Sequence, residues 1–405
     1  MIDLWLYGTH LATIKVERAS RMRLSYSDAA IERWGLGSRV FTVAEPMGTV
    51  PLTPAPTAAI VEGLLPEGEA LKVLTLAFGG HADLLLELGR DTIGAIIAVP
   101  EGEVPAEPDL GENLVPLTEL EVAARIRGLD TAPLGVAPER TVRLSIAGAQ
   151  PKLPLVRVGD TFADPTFSHP SDVILKPEPG SWPRLAELEH WGLGIMSAAG
   201  VPVPNHDVRT VEGIQILVID RYDRKPEDDP SHVRLHQEDL CMALGARPKE
   251  KYAKSHRAPT SLRKMALAIY ENTDDPNTDV EHFIAMLIVN VAIGNCDAHA
   301  RNTSLIHEPD GTIRLAPAYD VIPTYHYRDH DRLLAQPINR NVMRPESVTG
   351  PHLRAEVDSW GLPNLPAALS AAYERVSVAV SASTPPPDTG DLTALLSSFA
   401  RLMPT

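Results

Sequence analysis

Residues 294–302 read GNCDAHARN, and this stretch largely decides the fold that the sequence predicts. It follows an apolar run typical of a buried helix, and it precedes two short runs typical of paired strands. Asp297 and Asn302 stand five residues apart, the interval found in catalytic loops of the form HRDxxxxN. Asp297 is therefore a candidate to accept or orient the proton of an attacking hydroxyl, and Asn302 is a candidate metal ligand. An aspartate that caps a helix before a polar turn is the alternative for this stretch alone.

A second acidic residue follows in LAPAYDVIPT (315–324), where Asp320 comes after a predicted strand. Mg²⁺ prefers hard oxygen ligands, usually one or two carboxylates together with phosphate and water. Asn302 and Asp320 suit this preference better than they suit zinc. Because both motifs occur in the order expected of a phosphoryl-transfer site, chance explains the pair less well than it explains either one.

The segment SIAGAQPK (145–152) lies between two predicted strands and has small residues around Gly148. Such a loop can direct backbone N–H groups at phosphate oxygens. It lacks both the GxxxxGK[ST] and the GxGxxG patterns. A plain hairpin loop is therefore the alternative for this segment.

Lys176 lies at the end of the apolar strand predicted for DVILKP (172–177). A buried ammonium group requires an anionic partner, and Glu189 on the next predicted helix could supply it. Kinases pair a strand lysine with a helix glutamate in this way. A surface lysine at a strand end is the alternative.

The composition restricts the class of protein. The chain has 405 residues, a net charge of −16 and two cysteines without metal-ligand spacing. The charge argues against a broad surface that neutralises nucleic-acid phosphates, and the cysteine count fits a reducing compartment. The N-terminus lacks the basic residues of a signal peptide, and the longest apolar stretch (283–293) is too short to cross a bilayer. A cytoplasmic protein without membrane contact is expected.

The order of the predicted elements divides the chain into three parts. An acidic, proline-rich run at 100–116 reads as a linker. Strand patterns dominate from about residue 142 to residue 220, and helical patterns dominate after residue 222. The predicted helices include HQEDLCMALG (236–245), SLRKMALAIYE (261–271) and VEHFIAMLIVNVAIGN (280–295). The predicted parts are an N-terminal subdomain (1–105), a β-rich nucleotide-binding lobe (106–222) and a helical catalytic lobe (223–405).

Together these segments resemble the HipA family, the kinase component of bacterial HipA–HipB toxin–antitoxin pairs. The resemblance runs from about residue 60 to residue 325. Its N-terminal part is carried by GLLPEGE (63–69) and LLLELGRDTIGAI (84–96), and the rest by SIAGAQPK, ILKP, ELEHW, IDRYDR, HQEDLCMALG, GNCDAHARN and LAPAYD. It implies an α+β, two-lobed protein-kinase-like (HipA-like) fold with a β-rich N-terminal part and a mainly helical C-terminal lobe. Residues 1–105 would be the HipA-type N-terminal subdomain.

The resemblance also implies serine/threonine protein kinase activity with ATP and Mg²⁺ as cofactors. Carried over by position, Asp297 would be catalytic, Asn302 and Asp320 would bind the metal, and Glu189 would orient Lys176. The residues implied to contact the nucleotide are Ala147, Gly148, Ala149, Gln150, Lys152, Lys176, Asp220, Arg221, Tyr222, His299, Asn302, Tyr319 and Asp320.

Ser145 matches the serine that the family autophosphorylates in its phosphate loop. The added negative charges would exclude the ATP phosphates from that loop. The implied partner is a HipB-like helix-turn-helix antitoxin, and DNA would be contacted only through it, which suits the net negative charge. The implied protein substrate is an aminoacyl-tRNA synthetase, commonly the glutamyl enzyme.

Two other functions remain open for this scaffold. A small-molecule phosphotransferase would use a similar aspartate–asparagine loop, although SIAGAQPK weighs against it. A non-catalytic corepressor of the antitoxin is the other, and Lys176, Asp297, Asn302 and Asp320 argue against it.

Overall fold

The computed structural model describes residues 1–17, 21–106, 114–129, 133–135, 150–166, 169–224 and 234–404. The chain forms two compact units. The β-rich unit comprises Met1–Pro179, Asn205–Glu238 and Ile306–Thr312, and the helical unit comprises Gly180–Pro204, Asp239–Leu305 and Ile313–Thr405. The division into three parts at residues 105 and 222 stays a prediction.

The first sheet of the β-rich unit contains β1 (Ile2–Leu6), β2 (Thr9–Val16), β3 (Met22–Tyr26) and β4 (Ile97–Pro100). Its order is β3-β2-β1-β4, and neighbouring strands are antiparallel. Tyr7 and Gly8 join the first two strands with φ of 49° and 72°. A two-residue turn with both φ values positive matches the twist of a hairpin, which explains the tight connection between β1 and β2.

The second sheet contains β5 (Pro116–Leu117), β6 (Leu153–Val158), β7 (Thr161–Ala163), β8 (Val173–Pro177), β9 (His206–Val211) and β10 (Ile214–Asp220). Its order is β5-β7-β6-β8-β10-β9. Leu175 of β8 faces Leu153 on one side and Val218 on the other, which fixes the position of Lys176 at the end of a central strand. The first of the two strands predicted around SIAGAQPK, in TVRLSI (141–146), lies outside the described residues.

A third sheet has three strands, β11 (His236–Asp239), β12 (Ser304–His307) and β13 (Ile313–Leu315), in that order. The hairpin predicted after residue 302 is the pair β12–β13. Its turn closes with two backbone hydrogen bonds, from Glu308 N–H to Thr312 O (2.8 Å) and from Gly311 N–H to Glu308 O (3.0 Å).

The helices of the β-rich unit are α1 (Asp28–Trp34), α2 (Pro54–Gly63), α3 (Gly68–Phe78), α4 (His81–Leu88) and α5 (Glu119–Arg127). Those of the helical unit are α6 (Leu185–Ala198), α7 (Leu240–Ala243), α8 (Leu262–Asn272), α9 (Pro276–Ile293), α10 (Gly350–Asp358), α11 (Leu365–Ala382) and α12 (Gly390–Ser397). Helix α9 is buried on nearly all sides, which explains why its sequence is apolar without a polar face.

The helix predicted for HQEDLCMALG (236–245) is wrong in its first half. Residues His236–Asp239 form β11, in which buried and partly exposed residues alternate, the two-residue period of a strand. Only Leu240–Ala243 are helical, because the Asp239 side chain accepts a hydrogen bond from Met242 N–H (2.9 Å) and starts the helix there.

His236 is fully buried in the β-rich unit, with Nε2 2.7 Å from the carbonyl oxygen of Phe41. Burial and the neighbouring His307 lower the pKa of His236 from 6.5 to about 3. Between pH 6.5 and pH 3, His236 is therefore protonated in the unfolded chain but not in the folded chain. We expect the free energy of unfolding to fall by about 1.4 kcal/mol for each unit by which the pH is lowered from 6.5 towards 3.

Urea unfolding followed across that pH range measures this slope. His236→Gln cannot bind the proton, so its stability should depend less steeply on pH than that of the wild type. Equal slopes for the two proteins would show that His236 does not titrate on unfolding.

Among the residues that the structure describes, no helix combines the length and the apolar character that crossing a membrane demands.

Candidate active site

The candidate site of the helical unit begins where α9 ends, at Gly294. This glycine adopts the left-handed conformation (φ 75°) and donates its N–H to Asn290 O. A Cβ atom at this position would lie 2.7 Å from Tyr325 Cβ and 2.9 Å from Leu395 Cδ1. Only glycine meets both requirements, so the chain turns sharply from the helix into residues 295–302.

Asn295, which is almost fully buried, connects this loop to the segment that carries Asp320. Its Oδ1 accepts a hydrogen bond from Asp297 N–H (3.1 Å), and its Nδ2 donates to Asn290 Oδ1 (3.0 Å) and to Asp320 O (3.2 Å). One side chain therefore fixes the start of the loop and the backbone of Asp320 together. Asn295 was not predicted as a site residue, since its only signal in the sequence is a polar residue directly after a buried apolar helix.

The loop closes on itself through the backbone of Asp297. Its carbonyl oxygen accepts hydrogen bonds from His299 N–H (2.7 Å) and from Asn302 Nδ2 (2.9 Å). Because the amide nitrogen of Asn302 is used in this way, its Oδ1 is the atom available as a metal ligand.

Asn302 and Asp320 line one cavity of the helical unit, together with the amides of Asn290 and Asn295. The structure thus brings together the two residues that the sequence analysis assigned to the metal. Most other residues that line this small cavity are apolar, but a carboxylate and an amide are the side-chain types that Mg²⁺ prefers. The residues present therefore fit a magnesium ion that completes its coordination with phosphate and water.

The segment around Asp320 is held from two sides. Asp320 itself has a φ of 52°, a left-handed conformation that is uncommon outside glycine but that aspartate tolerates better than most residues. The following residue, Val321, packs so closely against α6 that a Cβ on Gly192 would lie 2.1 Å from Val321 O. Gly192 therefore allows the approach that positions Asp320.

Tyr319 anchors the other side of this segment. Its hydroxyl lies 2.8 Å from Arg301 O, to which it donates, and 2.6 Å from Ser304 Oγ. Burial raises the pKa of this phenol far above its usual range, so it stays protonated. Its hydroxyl is thus used to hold the loop, and any nucleotide contact would fall to its ring.

Tyr252 is a site residue that the sequence analysis missed. Its hydroxyl donates a 2.6 Å hydrogen bond to Asp297 Oδ1, and its ring meets the His299 ring edge-on at 5.0 Å between centroids. Tyr252 is 43% exposed, so it reaches Asp297 from the solvent side. A hydroxyl at hydrogen-bond distance from the predicted catalytic carboxylate is in the position where an acceptor hydroxyl is needed.

The predicted phosphate-binding lysines belong to the β-rich unit. Lys176 lies on β8 and Lys152 directly precedes β6, and each is only 4% exposed. The pairing of Leu153 with Leu175 places the two lysines opposite each other on neighbouring strands. Both residues therefore lie at the same level of the sheet, on adjacent strands. Gln150 is half-buried in the same unit, whereas Ser145, Ala147, Gly148 and Ala149 lie outside the described residues.

Glu189 lies on α6 of the helical unit and is fully buried. The pairing predicted between Glu189 and Lys176 stays a prediction.

Residues 220–222, which the family resemblance implies to contact the nucleotide, use two of their backbone N–H groups within the β-rich unit. Asp220 N–H donates to Asn205 O (2.9 Å), and Arg221 N–H donates to Asp172 O (2.7 Å). A nucleotide contact here would therefore fall to the other backbone groups of residues 220–222.

The Arg221 side chain belongs to a buried charge cluster rather than to an open surface. It donates to both carboxylate oxygens of Asp223 (2.9 and 2.7 Å) and to Ser171 Oγ (2.8 Å). Asp91 pairs with Arg224 at 2.8 Å. This cluster ties residues 91–94 to residues 221–224 within the β-rich unit.

Comparison with known proteins identifies the family. Residues 144–383 match the HipA-like C-terminal domain, and residues 2–99 match the HipA N-terminal domain. A putative kinase, Y4mE, of Sinorhizobium fredii is 31% identical over 85% of this chain and 82% of its own. The serine/threonine-protein kinase toxin HipA of Shewanella oneidensis is 29% identical over 74% of this chain and 70% of its own.

A solved structure shares the fold. In the complex of the Shewanella oneidensis toxin–antitoxin proteins HipA and HipB with their operator DNA, one chain aligns with all of this chain and 96% of its own length, with a TM-score of 0.77 and 24% identity. The predicted α+β, two-lobed protein-kinase-like (HipA-like) fold is thus confirmed. The match to the HipA-like C-terminal domain alone spans more than half of this chain, and the chain therefore belongs to the HipA family.

Proposed function

We propose that this chain is an ATP- and Mg²⁺-dependent serine/threonine protein kinase that acts as the toxin of a toxin–antitoxin pair. The observation that carries the proposal is the arrangement of the helical unit, in which Asn302 and Asp320 line one cavity and Asn295 links Asp297 to the Asp320 backbone. The kinase names of two relatives support the same conclusion.

Each residue of the site has a role in this proposal. Asn302 Oδ1 and the Asp320 carboxylate would hold Mg²⁺, which supplies positive charge to the phosphate oxygens during transfer. Asp297 would orient the acceptor hydroxyl and accept its proton. His299 and the Tyr319 ring would border the nucleotide.

The β-rich unit would supply the remaining nucleotide contacts. Lys152 and Lys176 would neutralise phosphate charge, with Glu189 orienting Lys176. Residues 147–150 would cover the phosphates, and the backbone of residues 220–222 would meet adenine. Phosphate added to Ser145 would repel ATP from the same loop, since like charges cannot share it.

The proposed partner is a HipB-like helix-turn-helix antitoxin. The structural relative was solved with HipB and operator DNA, and the net charge of −16 suits a chain that reaches DNA only through its partner. We place the protein in the cytoplasm. Its proposed substrate is a component of translation such as an aminoacyl-tRNA synthetase, with the glutamyl enzyme as the first candidate.

The proposal is tested by inducing the wild-type chain or Asp320→Asn in bacteria. The phosphorylated proteins of the two cultures are then compared. We expect growth arrest and new phosphoserine or phosphothreonine only with the wild type. If both proteins arrest growth and neither changes the phosphoproteome, the kinase proposal fails. Phosphate found on a metabolite alone would favour a small-molecule phosphotransferase.

Tyr252→Phe tests the role of the hydroxyl that contacts Asp297. The change keeps the ring against His299 but releases the carboxylate from a hydrogen bond that an acceptor would have to displace. Such a hydrogen bond to a charged group contributes at most about 1.5–3 kcal/mol, and the acceptor no longer has to displace it in Tyr252→Phe. We therefore expect the KM for the protein acceptor to fall severalfold and kcat to stay unchanged.

Tyr252→Ala is the matched control, because it removes the ring as well and should lower kcat. Equal losses of kcat in Tyr252→Phe and Tyr252→Ala would mean that the hydroxyl assists transfer rather than competing with the acceptor.

A further inference from the structure

A second cavity of the helical unit, of about 580 Å³, is lined by none of the residues assigned above to catalysis. Its walls come from the N-terminal end of α8 with the loop before it, from the segment 337–340, and from the end of α10. Its size lies within the range of pockets that bind small molecules.

The cavity is basic although the chain is strongly acidic. Four cations line it, namely Arg257, Arg263, Lys264 and Arg340, with His256 beside them. All four are exposed, and within the described part of the chain none of them forms an ion pair. Arg263 uses only Nε internally, donating to Ser359 O (3.0 Å). Its terminal nitrogens are thus available to a ligand.

Two of these cations occupy an unfavourable place on their helix. Arg263 and Lys264 lie in the first turn of α8, an eleven-residue helix with no acidic residue there. The N-terminus of a helix carries a partial positive charge and is stabilised by acidic side chains. Basic side chains at this end cost stability, and a bound anion would reverse that cost.

Ser261 supplies an independent sign of a ligand. It precedes α8, is 2% exposed and lines the cavity, yet its Oγ has no hydrogen-bond partner within the described residues and does not cap the helix. A buried hydroxyl without a partner costs free energy. An anion in the cavity would accept this hydrogen bond.

Glu356, the single acidic residue that lines the cavity, forms hydrogen bonds within the protein. Glu356 accepts hydrogen bonds from Asn339 N–H (2.9 Å) and Trp360 Nε1 (3.1 Å), and burial raises its pKa. It thereby holds a tight turn closed by reciprocal backbone bonds between Ile338 and Asn341 (2.9 and 3.0 Å). The turn places Arg340 at the cavity with a φ of 69°, where glycine would be less strained.

We propose that this cavity binds a phosphate or diphosphate group, free or carried on a small organic molecule. The Ser261 hydroxyl and the first N–H groups of α8 donate to the phosphate oxygens, and Arg263, Lys264 and Arg340 neutralise its charge. This proposal is independent of the proposed kinase activity, because the two sites share no residue.

Isothermal titration of the full chain with pyrophosphate, and separately with ribose 5-phosphate, tests the proposal. Arg263→Gln/Lys264→Gln should weaken binding of the better probe by about tenfold or more, since each charge-assisted hydrogen bond contributes about that much. Ser261→Ala should weaken it severalfold without lowering the melting temperature. The probe that binds more tightly shows whether the phosphate is free or part of an organic ligand.

Arg328→Gln is the matched control, because Arg328 is an exposed arginine of the same unit that does not line the cavity. The proposal would be overturned if the wild type, the double variant and Arg328→Gln bound each probe equally well. Pyrophosphate bound only at the nucleotide site would give that result, as would no binding at all.

Discussion

Replacing Asp297 by asparagine should lower the rate of phosphoryl transfer by about 10²- to 10⁴-fold, the usual contribution of a general base. An amide cannot take the proton of the acceptor hydroxyl. The loop itself should survive the change, because its bonds at this position use the backbone: His299 N–H and Asn302 Nδ2 donate to Asp297 O, and Asp297 N–H donates to Asn295.

The measurement is kcat at saturating Mg-ATP and protein acceptor. The melting temperature of Asp297→Asn should stay near that of the wild type. Asp358→Asn serves as the control, because Asp358 is an exposed carboxylate at the end of α10, and its kcat should not change. A folded Asp297→Asn protein with wild-type kcat would remove Asp297 from the mechanism.

Replacing Asp223 by alanine should destabilise the protein by about 3–5 kcal/mol, the cost of breaking a buried ion pair by removing one partner. The Asp223 carboxylate accepts two hydrogen bonds from Arg221, lies 3.1 Å from Arg224, and accepts one from Gly94 N–H (2.7 Å). Without it, three buried or nearly buried guanidinium groups, those of Arg221, Arg224 and Arg234, would share the carboxylate of Asp91.

Urea unfolding at neutral pH measures this cost. The control is Asp164→Ala, which removes a carboxylate that is 42% exposed and paired with Arg125 at 2.5 Å. Surface pairs contribute about 0–1 kcal/mol, so the control should lose little. Comparable losses in the two variants would contradict a stabilising role for the buried cluster.

The same cluster predicts acid sensitivity. Burial opposes the charge of Asp91 and Asp223, but the neighbouring arginines, Arg221 first, hold the pKa of both carboxyls below its usual value. Their contribution to stability is therefore fully present above the pKa of the unfolded chain, near 3.8. It is lost as the pH falls further, and Asp223→Ala should lose less stability than the wild type in that range.

The metal site could be predicted because its chemistry is local in sequence. Asp297 and Asn302 lie in one short loop, and Asp320 follows a single hairpin, so spacing and order sufficed to assign them. Tyr252 could not be found in this way. It lies in an irregular segment, and its contact with Asp297 spans forty-five residues, which no periodic pattern reveals.

The fold shows the same contrast. Helices α8 and α9 and the hairpin β12–β13 have strong periodic or turn signals, and the structure contains them. The strand His236–Asp239 has only four residues. Because its alternation of buried and exposed residues is so short, the helical pattern that follows dominates the prediction. The basic cavity combines residues 256–264 with residues 337–340 and 355–359, and no periodic pattern in the sequence indicates that these segments converge.

The most direct test of the account is the phosphate content of the purified chain after incubation with Mg-ATP, read by intact-protein mass spectrometry. We predict that the wild type gains phosphate and that Asn302→Ala/Asp320→Ala, folded to the same melting temperature, gains none. Equal phosphate on both proteins would contradict a metal site at these residues, and its absence from both would contradict autophosphorylation.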